Sequence, residues 1–278
     1  MDRVYLIGNG YVCNFITAKF SSKYDFVGIC RSKKSNCAHN HSVDISNDNG
    51  MLKEIIDKKG YVVYLAPPQN KGLRDKILSK FLASIVKNKI IKIIYISTSG
   101  VYGDRKDALV NENEKIMPLT ERAQRRADAE CQIKNSGIKY TILRVPGIYG
   151  KGRLPLKRVN DRLPLIKTEI CKHTNLINAK ELSNIIIQTL TNNNTDNIIM
   201  NVSDGTPIKT TDYYLQIYDQ LNMKYPEFID YEQANKVYDS KRKSFINESR
   251  ILDVSLMNEI FPGIIEYKNI KDGIKDSL

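Results

Sequence analysis

Two stretches of the chain hold residue types that could do chemistry. The first, YLIGNGYVCNF (residues 5–15), sets Gly8 and Gly10 one residue apart directly after an apolar run. Gly8 permits a tight turn. Gly10 lets a pyrophosphate approach the backbone at a helix start, where free N–H groups and the helix dipole favour anions. Gly8, Asn9, Gly10, Tyr11 and Val12 are therefore the expected phosphate-binding turn. The third small position of such a turn, which lets helix and strand pack closely, is Cys13. The second stretch, IYISTSGVYGD (residues 94–104), is a β-branched run that breaks into hydroxyl residues, then glycine, then Tyr102-Gly103-Asp104. A hydroxyl presented there needs a proton partner further along the chain.

The glycine turn requires a strand before it and a helix after it, and the chain supplies both. RVYLIG (3–8) is a short apolar run ending in glycine, and a helical stretch follows over 11–20. DFVGIC (25–30), SVDIS (42–46), YVVYLAPP (61–68), IKIIYIST (91–98) and KYTILRV (139–145) read as further strands. KGLRDKILSKFLASIVKN (71–88) has apolar residues at three- and four-residue spacing, the mark of an amphipathic helix, and another helix is expected over 119–135. Such alternation predicts an α/β fold, a Rossmann-type doubly wound parallel sheet. After Gly150 the pattern loosens into a basic, proline-broken segment, with a clear helix only at 210–223. The expected organisation is a dinucleotide-binding core over 1–150, with strands near 174–178 and 197–203 returning to it. A smaller C-terminal, substrate-side cap comes from 151–173 and 204–278. The cap would cover the carboxyl ends of the strands, where open α/β sheets bind ligands.

The residues after the second strand bear on cofactor choice. An acid there would bind both ribose hydroxyls of NAD, but the chain has Arg31, Ser32, Lys33 and Lys34. Positive charge with a hydroxyl suits a 2′-phosphate, so NADP is expected, with NAD as the other option. Asp44 and Ile45, at the end of the third expected strand, are placed to hold the adenine edge.

Composition sets limits on other roles. The chain has 278 residues, 41% hydrophobic and 27% charged, as in a globular protein with a full core. No apolar run reaches membrane-spanning length. The opening MDRVYLIGNGYVC begins with an acid after Met1 and is broken by glycines, unlike a signal peptide, so a cytoplasmic location is expected. Five scattered cysteines make no disulfide framework. CAHNH (37–41) has three metal-capable side chains but no matching cluster elsewhere, so no metal site is expected and the run reads as a loop before a strand. The net charge of +12 is spread along the chain without interleaved aromatics, which does not point to nucleic acid.

These motifs together resemble the extended and atypical short-chain dehydrogenase/reductase superfamily, the epimerase/dehydratase-like group. LIGNGYVCNF is similar to its dinucleotide turn, and VVYLAPP to the fourth strand passing the cofactor, which implies Leu65, Ala66 and Pro67 as cofactor contacts. IYISTSGVYGD is similar to its fifth strand. TILRVPGIYGKGR is similar to its sixth strand and the turn after it, with Pro146 and Ile148 at the cofactor. NLINAKELSNII resembles N-x-I-H-V-x-D-L with Asn178 for His and Glu181 for Asp, and NVSDGTPIKTTDYY resembles a late strand and helix.

The resemblance implies a Ser or Thr that orients the substrate oxygen, a Tyr that is the acid/base, and a Lys four residues later. Thr98 takes the hydroxyl place. When Glu130 is matched to the superfamily's helix glutamate, Arg122 falls at the Tyr position and Arg126 at the Lys position. The Tyr-x-x-x-Lys pair is therefore absent. Arginine cannot cycle a proton near neutral pH, although Arg126 could still supply charge to the ribose and Arg122 could face an anionic substrate. The alternative is that Arg122, Arg125 and Arg126 form a solvated basic face. Tyr102 is the remaining candidate acid. The resemblance implies a small-molecule hydroxyl or carbonyl substrate and an NADP-linked oxidoreductase or epimerase-like enzyme. The alternative is a catalytically silent dinucleotide-binding sensor or regulatory protein. A homodimer through the helices after the fourth and fifth strands is left open, although the charged helix at 119–135 disfavours it.

Overall fold

The computed structural model describes residues 1–31, 37, 39–239, 242–243, 246–267 and 269–278. Ser32, Lys33 and Lys34 lie outside the described residues.

The chain begins with β1 (Asp2–Ile7), α1 (Tyr11–Phe20), β2 (Tyr24–Cys30) and β3 (His39–Ser42). It continues through α2 (Met51–Ile55), β4 (Gly60–Tyr64), α3 (Lys76–Ser84) and β5 (Ile90–Thr98). A two-residue β6 (Leu109–Val110) precedes α4 (Glu121–Lys134) and β7 (Tyr140–Val145). Then come β8 (Gly147–Tyr149), α5 (Leu156–Asn160), β9 (Leu165–Ile166), β10 (His173–Thr174), β11 (Leu176–Asn178), α6 (Ala179–Thr191) and β12 (Ile198–Asn201). The tail contributes α7 (Thr210–Gln220) and shorter pieces.

Seven strands form one sheet in the order β12-β7-β5-β4-β1-β2-β3, every pair parallel. The order reverses between β1 and β4, so a crevice opens at their carboxyl ends. The register aligns those ends: Ile7 pairs with Ile29 and with Tyr64, and Thr98 pairs with Val145. Alternate residues of each strand feed two cores. Val4, Leu6, Ile94 and Ile96 pack with Val12, Ile16, Ile185 and Ile186 on one face. Tyr5, Ile7, Ile93 and Tyr95 pack with Leu78, Phe81, Ala129 and Ile133 on the other. Coverage of both faces explains why β5 is apolar nearly throughout.

From β8 onward two smaller cores form, one around Tyr149, Leu154, Tyr213 and Tyr218, the other around Ile166, Ile229 and Tyr238. Of the two later strands expected to return to the core of residues 1–150, Ile198–Asn201 pairs with β7 in the seven-stranded sheet and Leu176–Asn178 pairs with β8. Among the described residues no helix is long and apolar enough to cross a membrane.

Two elements differ from expectation. The third strand is His39–Ser42 rather than 42–46, so it runs through the CAHNH segment; its edge position tolerates polar, exposed residues. Asp44 consequently lies past the strand, where its side chain caps a short turn. The helix expected over 71–88 is confined to Lys76–Ser84. Asp75 starts it by accepting from the Leu78 N–H at 2.9 Å, and Gly72 before it has a positive φ of 87°.

Candidate active site

The glycine turn closes the carboxyl end of β1. Gly8 adopts φ +83°, and a Cβ there would lie 2.5 Å from the Ala66 backbone, so only glycine fits between β1 and the segment after β4. The Gly8 N–H donates to the Ile29 carbonyl at 2.8 Å and the Leu65 N–H to that of Ile7 at 2.8 Å, which ties the turn to both neighbouring strands. The Asn9 side chain turns away from the crevice, donating from Nδ2 to Asn40 Oδ1 at 3.1 Å behind Gly28. Helix α1 then starts with Gly10 as its N-cap, with no side-chain cap and no acid in its first turn. Its leading N–H groups thus stay available for an anion, and nothing negative competes for them. These features fit a dinucleotide pyrophosphate. Val12 and Cys13 are buried behind the turn, and burial pushes the Cys13 thiol up to about 12, which suits packing rather than reaction.

Just past the end of β2, Arg31 is exposed. The Asp44 carboxylate accepts from the Ser46 N–H (3.0 Å), the Ser46 hydroxyl (2.7 Å) and Asn47 Nδ2 (3.3 Å), which holds its pKa below the ordinary value. Ile45 beside it is buried, Ala66 is buried against Gly8, Leu65 is half-buried and Pro67 is exposed.

Thr98 ends β5, half-buried, and its Oγ1 accepts from the Gly100 N–H at 3.2 Å as the cap of the 3₁₀ turn Ser99–Tyr102. Tyr102 is placed differently from the expectation of a candidate acid. It is fully buried, its hydroxyl donates to Asn201 Oδ1 at 2.7 Å, and it accepts from Arg144 Nη1 at 2.9 Å. The Arg144 guanidinium also stands 4.7 Å from its ring. Burial raises the phenol's pKa further. With its hydroxyl engaged in the core, Tyr102 presents no proton to the crevice.

Sequence reading missed the network behind Tyr102. Arg144 on β7 and Glu130 on α4 form a buried ion pair at 2.8 Å. Ser97 donates to Glu130 Oε1 at 2.6 Å, and Glu112 Oε1 accepts from the Asn201 N–H at 2.7 Å. The available signal was an arginine inside the apolar run of β7 together with Glu130, the glutamate already matched on the helix.

The three arginines of α4 separate. Arg125 donates to the Gly72 carbonyl at 2.5 Å and pairs with Glu121 at 3.2 Å, steadying the loop before α3. Arg126 turns inward, donating to the Tyr95 hydroxyl (2.9 Å) and the Ile96 carbonyl (3.2 Å), its guanidinium 5.6 Å from the Tyr95 ring. Burial opposes its charge, but Tyr95 and Asp75 more than offset this and hold its pKa up. A fully solvated basic face is therefore not what α4 presents. Arg122, one turn earlier, is exposed and has no hydrogen-bond or ion-pair partner among the described residues. The surrounding protein, then Arg126, Arg153 and Arg125, push its pKa down.

Opposite α4, the segment after β7 reaches back to the glycine turn. The Tyr11 hydroxyl donates to the Lys151 carbonyl at 3.1 Å, and the Arg153 guanidinium lies 5.0 Å from the Tyr11 ring. Pro146 precedes β8, on which Ile148 is half-buried. Asn178 and Glu181 serve structure: Asn178 caps α6 through the Lys180 N–H (2.9 Å), and Glu181 Oε1 accepts the N–H groups of Glu266 (2.8 Å) and Tyr267 (2.9 Å).

Residues 32–198, more than half of the chain, match a family model described as NAD(P)H-binding. No curated protein matches the sequence. Among solved structures, a UDP-N-acetylglucosamine 4-epimerase from Methanobrevibacter ruminantium, in complex with UDP-N-acetylmuramic acid, is 17% identical with a TM-score of 0.79 over 99% of this chain and 96% of that one. The Bordetella bronchiseptica enzyme WbmH, in complex with NAD+, is 15% identical with a TM-score of 0.79 over 100% and 97%. A UDP-glucuronic acid 4-epimerase from Bacillus cereus, in complex with NAD, is 17% identical with a TM-score of 0.77 over 100% and 97%. At such identities the likeness is one of fold.

Proposed function

Because the chain belongs to the NAD(P)H-binding family, within the short-chain dehydrogenase/reductase superfamily its motifs resemble, we propose that it is an NADP-linked oxidoreductase or epimerase-like enzyme acting on an anionic hydroxyl or carbonyl substrate. The observation that carries this reading is Arg122, an exposed cation without a partner among the described residues, at the position that the resemblance matches to the superfamily's acid/base phenol. A bound nicotinamide supplies hydride transfer. The rest falls to the chain's own groups.

The α1 N-terminus holds the pyrophosphate, and Arg31 with the adjacent basic residues favours a 2′-phosphate. Thr98 orients the substrate oxygen with its hydroxyl, while the Gly100 N–H fixes Oγ1. Arg122, with Arg153 on the facing segment, binds the substrate's anionic group and stabilises negative charge that develops near it. Arg126 is a positioning residue: it supplies positive charge through the Tyr95 hydroxyl and the end of β5. The engaged hydroxyl of Tyr102 favours the second reading, a dinucleotide sensor without turnover, since it leaves the site without a phenol for proton transfer.

Fluorescence titration with NADPH and NADH tests the proposal. NADPH is expected to bind at least tenfold more tightly than NADH. Absence of binding by either cofactor refutes both readings, and equal binding removes the NADP preference.

A further inference from the structure

The segment that ends the chain closes over a group of acids without a counter-charge. Tyr149 on β8 is the register partner of Asn178 on β11, and Glu181 stands in the first turn of α6 just beyond. Asp204, in the loop after β12, joins β11 by donating its N–H to the Leu176 carbonyl at 2.9 Å. Each of the three side chains has a buried oxygen without a hydrogen-bond partner among the described residues: Tyr149 Oη, Glu181 Oε2 and Asp204 Oδ2. Tyr149 is 2% exposed and Glu181 is wholly buried. Burial raises all three pKa values, that of Asp204 to about 6. Asp204 adds to the rise at Glu181, and both carboxyls add to it at Tyr149.

The C-terminal segment is fastened to the same place. Glu181 Oε1 accepts the N–H groups of Glu266 (2.8 Å) and Tyr267 (2.9 Å). The last helix, Ile270–Ser277, then lays Ile270 and Ile274 against Tyr149 and Tyr213. Its Gly273 rests on the Tyr149 hydroxyl, with which a Cβ would collide. Ser277 Oγ accepts from Asn178 Nδ2 at 3.3 Å and donates to the Gly273 carbonyl at 2.5 Å. The other charged groups nearby are engaged elsewhere. Lys180 of α6 pairs with Asp276, which also accepts from the Tyr267 hydroxyl at 2.7 Å. Glu266 accepts from Asn184 Nδ2 at 2.8 Å and faces Lys19 of α1 at 3.6 Å. Lys271, Asp272 and Lys275 of the last helix are exposed. From α7 the neighbour is Tyr213, its ring 6.2 Å from that of Tyr149. Among the described residues no cation forms an ion pair with Glu181 or Asp204.

Buried acids without a cation stay neutral only while they hold protons. Once both carboxyls ionise, like charges face each other away from water. Admitting water relieves this, and a terminal helix is the part of the wall that opens at least cost. We infer that Glu266, Tyr267 and the last helix form a pH-sensitive strap, closed on Tyr149 while Asp204 and Glu181 hold a proton and loosened when both are ionised. The strap stands next to the proposed cofactor site without resting on that reading: Tyr149 runs into Gly150, where a Cβ would lie 2.8 Å from the Tyr11 hydroxyl. A raised carboxyl favours the closed form below about pH 4 and loses that contribution as pH rises through about 6.

Amide hydrogen exchange of the full chain tests this, read by mass spectrometry on C-terminal peptides and corrected for the intrinsic pH dependence of exchange. Protection of the last helix is expected to be lower than that of β5, the mark of a local opening. It is expected to fall at least tenfold between pH 4.5 and pH 7.5; a carboxyl raised from 3.8 to about 6 allows about a hundredfold at most. Asp204→Asn should keep at pH 7.5 the protection it has at pH 4.5. Gly273→Ala, which pushes the helix off Tyr149, should lower protection at both pH values. The inference is overturned by pH-independent protection in the wild type, by the same fall in Asp204→Asn, by protection equal to that of β5, or by a Gly273→Ala helix as protected as the wild type. Loss of the pH dependence on adding calcium or potassium chloride also overturns it, since a cation rather than a proton then balances the acids.

Discussion

Substituting Gly10 by Asp separates cofactor binding from helix stability, because the two should move in opposite directions. A Cβ at Gly10 would meet only the Gly8 carbonyl oxygen, at 3.6 Å, and the residue is an exposed N-cap with φ −129°. A side chain therefore fits without strain. An Asp at that position accepts from the open N–H groups of the first turn of α1 and stabilises the helix by about 1 kcal/mol. The same carboxylate occupies the anion position and sits roughly 4 Å from an incoming pyrophosphate. At an effective dielectric of about 20, one pair of like charges at that distance costs about 4 kcal/mol. Loss of the displaced hydrogen bonds adds to this, so NADPH affinity should fall by about a thousandfold or more. Fluorescence titration reads the affinity, and thermal unfolding without cofactor reads the stability. A variant that keeps NADPH affinity within tenfold refutes the placement of the pyrophosphate at α1. A variant that loses both affinity and stability refutes the claim that the position is open.

Four further substitutions test the surroundings. Tyr102→Phe leaves Asn201 Oδ1 without its donor and Arg144 Nη1 with only the Glu112 carbonyl, 3.3 Å away, so urea unfolding should show a loss of about 1–3 kcal/mol with NADPH affinity unchanged; unaltered stability would remove Tyr102 from the core network. Glu130→Gln strips the buried Arg144 of its counter-charge and should cost about 3 kcal/mol by the same measurement, while Ser97→Ala costs less. Burial raises the Asp204 carboxyl to about 6 from its ordinary 3.8, and its Oδ2 is buried without a partner. A raised carboxylate pKa favours the folded state below about pH 4 and loses that contribution as pH rises towards 6. Asp204→Asn should therefore be the more stable form at pH 7, by about 1–3 kcal/mol, with the advantage vanishing below pH 4; an advantage independent of pH contradicts the assigned burial.

The sheet was legible in the sequence because burial on both faces leaves a continuous apolar signature, and β1, β2, β4, β5 and β7 all carry one. The elements that escaped are those whose placement depends on partners distant in the chain. β3 is an edge strand of His, Asn, His and Ser, ordered by pairing with β2 and by the Asn9–Asn40 contact, neither of which leaves a local pattern. The start of α3 is decided by Asp75, whose backbone N–H donates at 2.8 Å to Asp128, a residue on α4. Periodicity extended that helix too far because the apolar spacing continues past the point where tertiary contacts hold the chain in another conformation.

The candidate site divides along the same line. The glycine turn is local: Gly8 and Gly10 stand together in the sequence, and it is at Gly8 that a side chain has no room. The roles of Tyr102 and the arginines are not local. The V-Y-G stretch looks the same whether its phenol faces a ligand or the core, and Arg144 and Asn201, from two other strands, decide the matter. The spacing of Arg122 and Arg126 put both at the positions of a proton relay, one turn apart on one helix. One turn is enough to separate them: Arg126 reaches the Tyr95 hydroxyl and is enclosed, while Arg122 stops short of any acceptor among the described residues. The surrounding protein and neighbouring cations lower the Arg122 pKa, and an anion beside it would raise it again. That asymmetry within one helix turn, rather than the missing phenol, is the reason to test anionic substrates against Arg122.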